Sequence, residues 1–127
     1  MKPDVYTFNT LIIGYCRNGK FESGLELFRE MKEKGCSPNV VSFITLIRGF
    51  FRERKSKEAV KMAYEMIQLG CEFSTMTCEI LVNGLCNEGQ VLEACDLVID
   101  FSRRGLLPKG FDYCGLVEEL CGRRKCR

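Results

Sequence analysis

Nine cysteines and no histidine are the first side chains to test for chemistry in this chain of 127 residues. The thiols stand at 16, 36, 71, 78, 86, 95, 114, 121 and 126, with no C-x-x-C pair among them. A zinc site needs four soft or imidazole ligands at close spacing, and that pattern is missing. Cys114, Cys121 and Cys126 are the only cluster worth a metal test, and they lack a fourth ligand. No metal or other cofactor is expected. The odd count and the opening MKPDVYTF, which has no apolar signal core, argue against a disulfide framework. Most of the cysteines read instead as small buried hydrophobes in a reducing compartment. Without an imidazole base, a G-x-x-x-x-G-K phosphate loop, or a Ser or Cys beside a base, no enzyme is expected.

Surface chemistry remains. At 100° per residue, Tyr6, Asn9, Ile13 and Arg17 fall on one helical stripe, roughly 135° from a stripe of Phe8, Leu11, Ile12, Tyr15 and Cys16. The first stripe combines a ring, an amide and a guanidinium. It reads as exposed; the second reads as core. Related stripes recur as Val41, Ile44, Arg48 and Arg52, as Met76, Glu79, Asn83 and Asn87, and as Phe111, Cys114, Glu118 and Gly122.

That recurrence is the organising fact. Shifting the chain by 35 residues superposes Leu11, Leu46, Leu81 and Leu116, then Gly14, Gly49 and Gly84, then Gly24, Ala59 and Ala94, then Gly35, Gly70 and Gly105. A fixed period of this length marks stacked units that bury their apolar faces only against neighbours. Within residues 5–39 a second apolar stripe, Phe21, Leu25, Phe28 and Met31, follows Asn18-Gly19 and ends at Gly35 and Pro38. Each unit is therefore expected to be a helical hairpin. Gly24, Ala59 and Ala94 are expected where the two helices of a hairpin approach, and Gly14, Gly49 and Gly84 at contacts between units. Arg54 stands where the other units have turn glycine, and Phe73 where they have proline.

The expected architecture is all-α: a right-handed α-solenoid of three hairpins, 5–39, 40–74 and 75–109, with a closing helix and basic tail in 110–127. Residues 1–4 read as the end of a preceding unit, since Lys2-Pro3-Asp4 falls where Ser37-Pro38-Asn39 falls. On this reading the chain starts mid-register, as a piece of a longer array. The net charge of +2 offers no global basic field, and no apolar run reaches the 18 residues of a membrane span.

A 35-residue period carrying N-T-L-I-x-G-x-C, L-F-x-E-M and G-x-x-P-N resembles the pentatricopeptide repeat family in its plain 35-residue class. The tetratricopeptide repeat differs, with a period of about 34 and a tryptophan signature, and this chain has no Trp. The resemblance implies single-stranded RNA binding at one base per unit, in mitochondrion or chloroplast, in RNA processing, stability or translation. It implies base-reading pairs Asn9 with Asn39, Ile44 with Ser74, and Glu79 with Lys109. Tyr6, Val41, Met76 and Phe111 would wedge against bases, and Arg17, Arg48 and Arg52 would meet phosphate. The Asn9 and Asn39 pair resembles pairs that favour pyrimidines, whereas Ile44 has no hydrogen-bonding group and Glu79 with Lys109 is an unfamiliar pair. By unit, the formal charge runs +1, +2, −2 and +1 from 1–39 to 110–127, so RNA binding is expected to fade toward the C-terminus and to be weak for this length of chain. The alternative is a protein-binding or self-associating scaffold, a homodimer included, promoted by exposed Phe111 and Met76 and by the truncated first unit; apart from it, Tyr6, Met76 and Phe111 also read as packing between units, and the arginines as solvated surface.

Overall fold

Each odd-numbered helix starts at a residue whose side chain can accept from backbone N–H, and each even-numbered one starts directly after a tight turn. The computed structural model describes residues 4–107 and Gly115. Apart from Gly115, the expected closing helix lies outside the described residues, as do Lys109, Phe111 and the Cys114, Cys121 and Cys126 cluster. Within residues 4–107 six α-helices run in order: α1 (Val5–Arg17), α2 (Phe21–Glu33), α3 (Val40–Arg52), α4 (Ser56–Gln68), α5 (Thr75–Asn87) and α6 (Val91–Arg103). Every one is 13 residues long. Starts of α1, α3 and α5 are 35 residues apart, as are those of α2, α4 and α6. The fold is an all-α helical repeat.

The caps explain the boundaries. Asp4, Asn39 and Ser74 are the N-caps of α1, α3 and α5, and their side chains accept from the backbone N–H of Thr7, Ser42 and Thr77. These residue types satisfy the orphan donors of a first turn. The helices α2, α4 and α6 have no side-chain cap bond. They begin instead after a left-handed residue, Gly19, Arg54 or Gly89, with φ of 77°, 63° and 77°. Beyond each of these the chain folds back on the preceding helix, with Lys20, Lys55 and Gln90 donating to Tyr15, Phe50 and Leu85 carbonyls, each at 2.8 Å. The even helices end the same way at Gly35, Gly70 and Gly105, where Cys36, Cys71 and Leu106 donate to Met31, Met66 and Phe101. This is the Schellman arrangement that glycine tolerates best.

The chain divides into two compact units between Glu72 and Phe73. In the first, α1 packs on α2, α3 on α4, and α3 on both α1 and α2. Small residues permit the approach. A Cβ on Gly24 would stand 3.2 Å from Cys16 Sγ, and Ala59 has no exposed surface. Aromatic rings seal the contact between hairpins: Phe21 meets Phe50 edge-on at 4.8 Å and Phe28 meets Phe43 at 5.4 Å. Gly49 leaves room for the Phe21 ring, because a Cβ there would lie 2.3 Å from Phe21 Cε1. On the surface of the same unit Lys32 Nζ reaches Glu65 Oε2 at 2.6 Å, joining α2 to α4. In the second unit α5 packs on α6 over Ala94, Val98 and Phe101. Phe73, in the place of a proline, lays its ring 4.6 Å from that of Phe101.

Two expectations need correction. Gly14 was expected at a contact between units, yet nothing lies within 4 Å of where its Cβ would be. Leu11 and Tyr15 were expected in the core and are exposed, although their counterparts Leu46, Phe50, Leu81 and Leu85 are buried. The reason is positional. The flank of α3 that carries Gly49 and Phe50 is covered by Phe21 of the preceding hairpin, and no helix precedes α1 among the described residues to do the same.

Candidate functional site

The side chains singled out for surface chemistry on α1 and α3 occupy one compact unit, so their geometry can be taken together. Tyr6, the second residue of α1, is 76% exposed, and Val41, the second residue of α3, is 46% exposed. An apolar side chain in water costs roughly 25 cal/mol per Å² of area left uncovered. Two such residues at the same register offer apolar surface with unspent affinity for a flat or apolar ligand. In the second unit Met76 holds that register on α5 and is 53% exposed.

Asn9 departs from the helical-wheel reading. It was expected on an exposed stripe, but only 6% of its surface is exposed. A wheel drawn for one hairpin sees α1 packing on one neighbour, whereas α1 packs on both α2 and α3. The buried amide is satisfied at both ends. Its Nδ2 donates to Asn39 Oδ1 at 2.9 Å, and its Oδ1 accepts a short hydrogen bond from Ser42 Oγ. The two residues expected to act as a pair are thus in direct contact, with Asn39 exposed at the outer side. Asn39 Oδ1 also accepts from the Ser42 backbone N–H at 3.2 Å, and Ser42 Oγ accepts from Asn39 N at 3.2 Å, which makes a reciprocal capping box.

Ser42 escaped the sequence reading. Its signal was nonetheless present: an N-cap residue followed three positions later by Ser or Thr occurs at Asp4 and Thr7, Asn39 and Ser42, and Ser74 and Thr77. In the second unit Ser74 caps α5 and its hydroxyl lies 3.3 Å from the Thr77 hydroxyl. Ile44 is partly buried on α3, and Glu79 is exposed on α5. Ile44 and Ser74 fall in different compact units, and Lys109 lies outside the described residues.

The cations divide by role. Arg17, in the last turn of α1, and Arg48 on α3 are exposed. Arg52 is exposed as well, but its Nη1 donates to the Cys16 carbonyl at 3.3 Å, so part of this guanidinium ties the end of α1 to α3. The remaining N–H groups of Arg52 point to no acceptor among the described residues.

Among the described thiols, burial raises Cys16, Cys71 and Cys78, which makes each slow to form the reactive thiolate. Burial pushes the Cys78 thiol up to about 11, with the adjacent Glu79 carboxylate adding to the effect. Cys16 is raised by burial against an opposing pull from Arg52. Of the described cysteines, 16, 36, 71, 78 and 95 are free. Cys86 is disulfide-bonded, and so departs from the reading of most cysteines as buried thiols in a reducing compartment. Among the described residues no group of three His, Cys, Asp or Glu side chains is placed to hold a metal, and no helix is long and apolar enough to cross a membrane.

The described geometry has close relatives. Residues 3–52 and 38–87 match the model of the PPR repeat family, and residues 76–106 match that of the PPR repeat. A stretch of 35 residues, 28% of the chain, is 46% identical to a pentatricopeptide repeat-containing protein of Arabidopsis thaliana, of which it spans 4%. The crystal structure of the pentatricopeptide repeat protein PPR10 in complex with an 18-nt psaJ RNA element aligns over 94% of this chain and 17% of that one, with a TM-score of 0.76 and 25% identity. The crystal structure of PPR10 from maize aligns over 97% of this chain and 22% of that one, with a TM-score of 0.58 and 24% identity.

Proposed function

The chain belongs to the pentatricopeptide repeat family, and on that premise we propose that it is a module that binds single-stranded RNA at one base per repeat. The observation that carries this reading is the pairing of exposed Tyr6 and Val41 with the hydrogen-bonded Asn9 and Asn39 between their helices. An aromatic or apolar face stacks on a base of any sequence, and an amide beside it reads the base edge. Arg17 and Arg48, with the free part of Arg52, supply cations for phosphate. The RNA complex of PPR10 supports the same assignment by likeness. In the second repeat Ile44 brings no hydrogen-bonding group to a base, and in the third the carboxylate of Glu79 beside the wedge Met76 contributes least. Phe111 would begin the next position. The chain acts in a mitochondrion or chloroplast, in RNA processing, stability or translation.

A second reading has its own support in exposed Leu11 and Tyr15, which offer a face for self-association or a protein partner. Electrophoretic shift of short single-stranded RNAs at two salt concentrations separates the two. Arg17→Ala should weaken all sequences and flatten the salt dependence by about 0.7 units of log slope. Asn9→Ala should alter base preference more than overall affinity. A wild-type chain that binds no RNA at low salt but dimerises would leave only the scaffold reading.

A further inference from the structure

We infer that Ser42 is a specificity-determining residue, which locks Asn9 and Asn39 so that the first repeat presents hydrogen-bond donors, and no acceptor, to its ligand. The inference rests on the RNA-binding reading above and deepens it. The orientation of each amide follows from one group that cannot change its chemistry. The Ser42 backbone N–H can only donate, so the Asn39 atom it meets at 3.2 Å must be the oxygen. The Asn9 atom 2.9 Å from that oxygen must then be nitrogen. That leaves the Asn9 oxygen facing inward at a buried position, where it needs a donor, and the Ser42 hydroxyl is that donor. Ser42 itself is 1% exposed, so water does not compete for the bond.

The consequence lies at the surface. Asn39 Nδ2 donates to no group among the described residues, and Asn9 Nδ2 keeps a second N–H beyond the one given to Asn39. A base edge with adjacent acceptors suits this arrangement. Cytosine offers O2 and N3 side by side, whereas uracil places an N3–H between its two carbonyls. Without the Ser42 hydroxyl the Asn9 oxygen is left buried with no donor, so the amide gives up its bond to Asn39 and swings toward the ligand, where its oxygen accepts an N–H as readily as its nitrogen gives one. Discrimination between the two pyrimidines should then fall.

The test uses the full chain and a set of oligoribonucleotides that differ only by C or U at one position, with dissociation constants measured by fluorescence anisotropy. Wild type should prefer C. Ser42→Ala should lower the C-to-U ratio about fivefold, the worth of one hydrogen bond, and Ser42→Thr, which keeps the hydroxyl, should retain it. An unchanged ratio in Ser42→Ala overturns the inference, as does a wild type that prefers U. Should Ser42→Ala not fold, side-chain amide exchange in wild type decides: the Asn9 NH2 should exchange slowly and the Asn39 NH2 fast, and the reverse order refutes the lock. The exchange measurement needs no RNA, so it judges the lock even where absence of RNA binding has already removed the functional reading.

Discussion

Two glycines of the same register have opposite surroundings. Gly49 lies in contact with the Phe21 ring, and any Cβ there would overlap it at 2.3 Å, whereas Gly14 faces open space. Gly49→Ala should therefore overpack the contact between hairpins and destabilise the fold by about 1 to 3 kcal/mol. Gly14→Ala, in a helix interior with room for the methyl group, should stabilise by about 0.5 to 1 kcal/mol. Paired urea denaturations measure both, and equal effects would contradict the packing described. The same scale holds the chemistry. Asn39 Oδ1 serves twice, as the cap of α3 and as the acceptor for Asn9 Nδ2. The last residue of a repeat is thereby restricted to types that can cap the next helix, which is why Asp4, Asn39 and Ser74 recur at this register.

Turns set the elements. Two of the three hairpins close on glycine with positive φ, but the middle one closes on Arg54 at 63°. A residue with a Cβ pays roughly 1 to 2 kcal/mol to hold that conformation, offset in part by the lower chain entropy it brings to the unfolded state. Arg54→Gly should raise stability by up to about 1 kcal/mol, seen as a higher urea midpoint with an unchanged m-value. A loss of stability would mean that the Arg54 side chain holds the turn through contacts of its own. At this scale much was legible in the sequence. Asn18-Gly19 and Gly35 mark helix ends by the conformation only glycine holds cheaply, and the Leu11, Leu46, Leu81 register marks one helix in each repeat. Contacts made by a third helix were not legible. Periodicity within one hairpin cannot tell that α3 covers Asn9 while nothing described covers Leu11 and Tyr15, because burial there depends on which neighbour packs on which flank. Ser42 was missed for the same reason. Its hydroxyl matters only once α3 is laid against α1.

Taken as a whole, the molecule distributes its charge unevenly. The first two repeats carry the surplus of Lys and Arg, and the third carries Glu79, Glu93 and Asp96 at exposed positions. Phosphate attraction is local and screened beyond about 10 Å at 0.1 M salt, so net charge matters less than where these groups lie. The proposed RNA binding accordingly centres on the α1 and α3 surface, and the chain, which spans 17% of the PPR10 chain with which it aligns, is expected to bind weakly alone. The measurement that tests this most directly is an NMR titration of the chain with a short single-stranded RNA. Resonances of Tyr6 and Val41 and the side-chain NH2 of Asn39 should shift together and saturate, while exposed Leu92 and Ile99 on α6 stay in place. Shifts centred on Leu11 and Tyr15 that follow protein concentration, with Tyr6 and Asn39 unmoved at the highest RNA concentration, would contradict it.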